Sequence, residues 1–126
     1  MNILPIFLLT IFDAIYLTTT SKIFNEQVNI IQGSDIKIKI LPTIVCYIAL
    51  LLGLYNFIIY SDKPNNKKIL DSLILGFVIY AVYETTNYAI LDKWKLSSVL
   101  IDTTWGTVLF GLVTFITLNI NPINIF

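Results

Sequence analysis

Four stretches of roughly twenty residues, each almost free of charge, leave this chain few ways to fold. They run from about 3 to 21, 41 to 60, 69 to 91 and 99 to 119, and segments of that length and polarity satisfy their backbone in lipid as helices. Hydrophobic residues make up 56% of the sequence and charged ones 13%, outside the range of ordinary soluble domains. The expected fold is therefore all-α: one domain, residues 1–126, forming an integral membrane bundle of four transmembrane helices. Its location is multi-pass integral membrane, and the lipid bilayer is its first partner. The opening span has no basic stretch before its apolar core, carries Asp13 within it and is followed by no A-x-A-like site, so it reads as retained and not as a cleaved signal.

Composition also removes function classes. The formal net charge is zero and all eight basic residues are lysines scattered in loops; no basic stripe awaits a phosphate backbone, and no nucleic acid partner is expected. Histidine is absent, which excludes histidine-ligated haem and di-iron sites, HExxH zinc sites and Ser-His or Cys-His pairs. No cofactor is expected. The single Cys46 lies in an apolar run and reads as a small buried residue.

Three connectors join the spans: KIFNEQVNIIQGSDIKIKI, SDKPNNKK and DKWKLSS. In the second, Pro64 and the paired asparagines are turn formers that predict an antiparallel hairpin. In the first, residues 35–40 alternate polar and isoleucine, a pattern that fits either a strand or an interfacial extension. Five lysines (Lys22, Lys37, Lys39, Lys93, Lys95) fall on the side of the first and third connectors and three (Lys63, Lys67, Lys68) on the other. The positive-inside rule leans toward the five-lysine side being cytoplasmic.

Charges inside a span cost about 2.5 to 3.5 kcal/mol each on insertion scales, so every one asks for a reason. At about 1.5 Å per residue, Asp13 lies about 12 Å, Glu84 about 10 Å and Asp102 about 5 Å from the helix ends facing the first and third connectors. All three share one half of the bilayer. Helical spacing places Gly76, Tyr80, Glu84 and Asn87 on one face of the third span; Asp102, Trp105, Gly106 and Leu109 on one face of the fourth; and Thr10, Asp13, Leu17 and Thr20 on one face of the first. Pro42, Cys46, Ala49, Gly53, Asn56 and Tyr60 form a small or polar stripe on the second, of the kind that brings helices close in lipid. A bundle closed around these four faces is expected. Ordinary explanations stand beside the functional ones: small residues pack helices, threonines bond their own helix, Trp94, Tyr60 and Tyr16 read as interface anchors, and Asp102 suits a helix's first turn. For Asp13 and Glu84 no such local explanation exists.

No lysine falls inside a span, so clustered carboxylates there must take up a proton or acquire a cation, whether a metal ion, an ammonium group or a snorkelling Lys22, Lys93 or Lys95. Asn87 and Tyr80, one turn from Glu84, are expected to orient its carboxyl. The candidate ligand- or proton-binding residues are thus Asp13, Tyr80, Glu84, Asn87, Asp102 and Trp105.

At these positions the chain resembles a family of small four-span membrane proteins known as domain of unknown function 2177. The resemblance rests on Asp13 with Tyr16 and Leu17; on Tyr83, Glu84, Thr86, Asn87, Leu91 and Trp94; and on Asp102, Trp105, Gly106 and Leu109. It spans the whole chain, with glutamate at 84 where aspartate is the habit and tyrosine at 16 where tryptophan is common. It implies the four-span fold and supports the same acids without supplying an activity. Three functions compete: binding or proton-coupled transport of a small polar or cationic solute, by a single bundle or a homo-dimer; a lipid-modifying enzyme using Glu84 or Asp102 as acid or base; and a structural or accessory subunit in which the polar cluster only joins helices.

Overall fold

A computed structural model describes residues 2–120, so the domain assigned to 1–126 extends outside the described residues at both ends. Four helices follow one another, each antiparallel to the last: α1 (Leu4–Gln32), α2 (Ile40–Leu54), α3 (Asn65–Ile90) and α4 (Leu96–Asn119). α1, α3 and α4, and α2 together with the turn that continues it to Ile59, each carry an apolar window long enough to cross a bilayer. The protein is an all-α, multi-pass membrane bundle, and among the described residues there is no strand. Phe7, Ile11, Ile15, Phe57, Val82, Ile90 and Phe115 are exposed on its outer face. Such a surface is expected against lipid and would be an aggregation hazard in water.

The first helix is longer than the apolar run suggests. At 29 residues it extends about 43 Å, more than the roughly 30 Å that a perpendicular crossing of the hydrocarbon core needs. Apolarity marks where a helix crosses lipid, whereas its end is set by backbone chemistry. Here Gly33 adopts the left-handed conformation (φ 77°) and its N–H donates to Asn29 O at 2.8 Å, ending the helix. The alternating segment beyond it is neither strand nor helix. Asp35 accepts from Asn29 Nδ2 at 2.7 Å, and Asn25 Oδ1 accepts from the Ile36 N–H at 2.8 Å, which folds the chain back along α1 toward α2.

The tightest packing is between α3 and α4. Gly76 lies against the Gly106 carbonyl, the Tyr80 ring covers the space where a Gly106 side chain would stand, and Gly111 faces Leu73. Leu9, Leu54, Ile58, Leu109, Phe110 and Val113 form the buried apolar core, all in the half of the bundle nearer the α2–α3 turn. That turn is the expected hairpin, with extended Pro64 preceding α3. At the end of α2, residues Tyr55–Ile59 widen into a π-helical turn, closed by a Tyr60 N–H to Tyr55 O bond of 2.9 Å.

The second helix corrects the expected face. Ala49, Asn56 and Tyr60 point outward, Cys46 is exposed and not buried, and a Cβ on Gly53 would meet only Leu75 Cδ2 at 3.9 Å. The side that docks carries the large residues Tyr47, Leu50, Leu54 and Ile58, which meet the core. In lipid a row of small residues permits close approach without compelling it. Bulky side chains hold α2 off the bundle in the half nearer its N-terminus, and a cleft opens there.

Candidate functional site

Three carboxyls lie in one layer where the apolar core gives way to this cleft. Asp13, 7% exposed, accepts a hydrogen bond from Trp105 Nε1 at 3.0 Å on one oxygen and one from the Tyr47 hydroxyl on the other. Asp102 accepts from the Tyr16 hydroxyl at 3.0 Å. The Tyr16 ring in turn stacks on Trp105, with centroids 4.6 Å apart and planes within 10°. Glu84, 1% exposed, accepts from Trp94 Nε1 at 2.7 Å, and its carboxyl lies within hydrogen-bonding reach of Asp102. A polar layer thus runs from Tyr47 on α2 through Asp13 and Trp105 to Tyr16, Asp102, Glu84 and Trp94, joining all four helices.

Of the residues expected from sequence, Asp13, Glu84, Asp102 and Trp105 come together in this layer. Tyr80 joins its edge by lining the cleft, with its ring packed against Phe110. Neither Tyr80 nor Asn87 orients Glu84. Asn87 lies beside the Tyr83 side chain instead, and the Glu84 carboxyl accepts from Trp94 with Asp102 close by. The first-turn explanation for Asp102 does not apply, because α4 begins at Leu96 and has no acidic residue in its first turn. Nor does a snorkelling lysine arrive. The ion pairs among the described residues join Lys63 and Lys67 to Asp71, elsewhere on the surface.

Two side chains expected at the lipid interface face inward. Trp94 is buried, returned onto Glu84 by the tight connector, in which the Trp94 N–H donates to Leu91 O at 3.0 Å. Tyr16 bridges Trp105 and Asp102. Tyr47 was missed altogether, since it lies one residue beside the small-residue stripe that drew attention to α2. Gln27 was missed because the extended end of α1 read as a connector. Buried at 1%, it accepts from the Lys95 N–H at 2.7 Å and from the Ser98 hydroxyl at 3.0 Å, fixing α1 to the start of α4. On α1 threonine behaves as expected, Thr10, Thr18, Thr19 and Thr20 each donating to the carbonyl four residues back, whereas on α4 the buried hydroxyls of Thr103, Thr114 and Thr117 have no such partner.

The cleft has a volume of about 650 Å³. Asp13 and Asp102 form its floor, with Tyr16, Tyr47, Tyr80 and Tyr83 around them. Leu17, Leu50 and Ile79 supply apolar wall, and Lys37, Lys39 and Thr43 stand with Cys46 toward the N-terminal end of α2. Glu84 does not line it; it stands behind Asp102. Among the described residues no three histidine, cysteine, aspartate or glutamate side chains are grouped to hold a metal ion.

Comparison with known proteins gives a family without an activity. The model of the family described as "Predicted membrane protein (DUF2177)" matches residues 1–119. No curated protein and no solved structure matches the chain.

Proposed function

The chain belongs to the DUF2177 family of predicted membrane proteins, and on that premise we propose that it binds a small polar or cationic solute in the intramembrane cleft, with proton-coupled movement of that solute as the consequence. The observation that carries this reading is the convergence of two carboxyl-bearing side chains and four tyrosines on a cleft of about 650 Å³. A pocket mainly apolar in its walls with a few convergent polar groups is the usual form of a small-ligand site.

In this reading the three acids have different tasks. Asp13, which accepts from Tyr47 and Trp105, lines the cleft and attracts the cation. Glu84 and Asp102 touch, and two carboxyls in contact in a low-dielectric site hold one proton between them, because both cannot be charged together. A cation arriving at the cleft-facing Asp102 replaces that shared proton, which is released to solvent, and the proton returns when the cation leaves. Binding and proton position are thereby linked.

The test is equilibrium binding of tetraphenylphosphonium to the protein in nanodiscs. Asp13→Asn should weaken binding about tenfold, the effect of losing roughly 1.4 kcal/mol of charge attraction. Equal binding by both proteins would overturn the proposal. Proteoliposomes carrying a pH gradient then separate transport from binding alone: uptake that follows the gradient in the natural protein and fails in Glu84→Gln supports coupling.

A further inference from the structure

The mouth of the cleft carries charge opposite to that of its floor. Lys37 and Lys39 line it, and among the described residues neither forms an ion pair. They are brought there by the back-folded segment after Gly33, which Asn25 and Asn29 secure through Asp35 and Ile36. Lys39 is also the residue preceding α2, a helix of 15 residues whose N-terminus has no side-chain cap and no acidic residue in its first turn. The free N–H groups and positive dipole end of that turn therefore reinforce both ammonium groups. Lysines with flexible stems, beside an uncapped helix start, favour an anion.

Resting on the cation-binding reading of the floor, we propose that the ligand is zwitterionic: a molecule bearing a primary ammonium and an anionic phosphate separated by a short chain, bound with the ammonium toward Asp13 and Asp102 and the phosphate toward Lys37 and Lys39. A cation alone leaves the two lysines without a partner. An anion alone meets carboxylates at the floor. Along α2, Tyr47, which bonds Asp13, is eight residues from Lys39, about 12 Å of helix rise, and the lysine stems reach back across part of that distance. The tyrosine hydroxyls supply acceptors for an ammonium's N–H groups, which a quaternary ammonium lacks. The apolar side walls accommodate a hydrocarbon tail, so both an aminophospholipid head group and a free phosphoamine carry the required chemistry.

Cys46 lines the same cleft and is exposed; as the chain's single cysteine it reports occupancy without an added label site. The rate of Cys46 alkylation by N-ethylmaleimide is measured by mass spectrometry in uncharged maltoside micelles. The probes are dihexanoyl phosphatidylethanolamine, O-phosphoethanolamine, octylamine and dihexanoyl phosphatidylglycerol. Strongest protection by phosphatidylethanolamine, weakened about fivefold by each of Lys37→Gln and Lys39→Gln while octylamine binding is unchanged, supports the proposal with a lipid as the source. Equal protection by O-phosphoethanolamine, with the same lysine dependence, supports it with a soluble source. Octylamine protecting as well as phosphatidylethanolamine, with no effect of either lysine substitution, overturns the zwitterion while leaving the cation site intact. Protection by none of the probes overturns both. Because Lys37 and Lys39 are exposed on an irregular segment, their substitution leaves the packed helices undisturbed.

Discussion

The close approach of α3 to α4 makes Gly76→Ala the most informative single substitution in the bundle. A Cβ placed at Gly76 would overlap the Gly106 carbonyl oxygen and come within 2.9 Å of Phe110 Cβ. Both obstacles are fixed, one being backbone and the other the first atom of a buried ring, so the helices must separate by roughly an ångström to restore van der Waals contact. Overpacking of a filled interior costs about 1 to 3 kcal/mol. Backbone as the obstacle places this case near 3, offset by about 1 kcal/mol from replacing glycine within a helix. The expected loss is therefore about 2 kcal/mol. Gly53→Ala is the internal control: its Cβ would meet Leu75 Cδ2 at an ordinary 3.9 Å, so it keeps the propensity gain and should stabilise by up to about 1 kcal/mol. Equilibrium unfolding in mixed micelles should separate the two variants by about 3 kcal/mol in total. Glu84 and Asp102 continue the same interface, so Gly76→Ala should also weaken cation binding. Equal stability of Gly76→Ala and Gly53→Ala would refute the packing described between α3 and α4.

Other consequences can be measured separately. Gln27→Ala removes the acceptor of two hydrogen bonds at the start of α4 and should cost about 1 to 2 kcal/mol, with faster amide exchange at Lys95 and Ser98 as its local sign; unchanged exchange there would count against the anchoring role. Infrared spectra at pH 7 should contain the C=O stretch of a protonated carboxyl that disappears in Glu84→Gln; a spectrum of ionised carboxylates only would remove the shared proton. Trp94→Phe keeps the ring's bulk but loses the 2.7 Å bond to Glu84, and should shift that carboxyl band while leaving the helices intact by circular dichroism. Tyr47→Phe removes a donor to Asp13 but leaves its carboxyl in place, so tetraphenylphosphonium should bind at least as well as to the natural protein; a loss as large as that of Asp13→Asn would show that the hydroxyl contacts the solute itself.

Sequence was legible wherever one physical rule acted alone. Apolar length fixed the four crossings, and a period near 3.6 gave the inward faces of α3 and α4, since glycines and acids there point the same way. The reading broke down where two rules competed. On α2 small residues and large ones formed adjacent stripes, and the docking energy of Tyr47, Leu50 and Leu54 decided the orientation. On α1 the end of the hydrophobic run and the end of the helix are separate events, 11 residues apart between the expected Ser21 and the observed Gln32. Trp94 satisfies the rule for an interfacial aromatic equally well from inside or outside the bundle, and only the tight turn after α3 directs it onto Glu84. Lys37 and Lys39 looked like ordinary connector charges because their importance depends on where Gly33 and Asp35 return the chain.

The cost of burying Glu84 gives a last constraint on its role. A purely structural polar contact in a membrane contributes about 0.6 kcal/mol on average, whereas a charge at a helix centre costs about 2.5 to 3.5 kcal/mol on insertion scales, an upper bound for Glu84 in the last third of α3. One bond from Trp94 and, in the proposed reading, a proton shared with Asp102 offset that cost only in part, and a glutamine would make similar bonds at lower cost. On these costs an acid is a poorer choice than an amide for holding helices together, which is what the proposed proton-exchanging role would explain. Its position behind Asp102, away from the cleft but touching the residue that lines it, suits a proton store that answers to the ligand without contacting it. Glu84→Gln should accordingly fold at least as stably as the natural protein in mixed-micelle unfolding while losing any dependence of solute uptake on a pH gradient. A variant that unfolds more readily, with coupling preserved, would return Glu84 to a structural role.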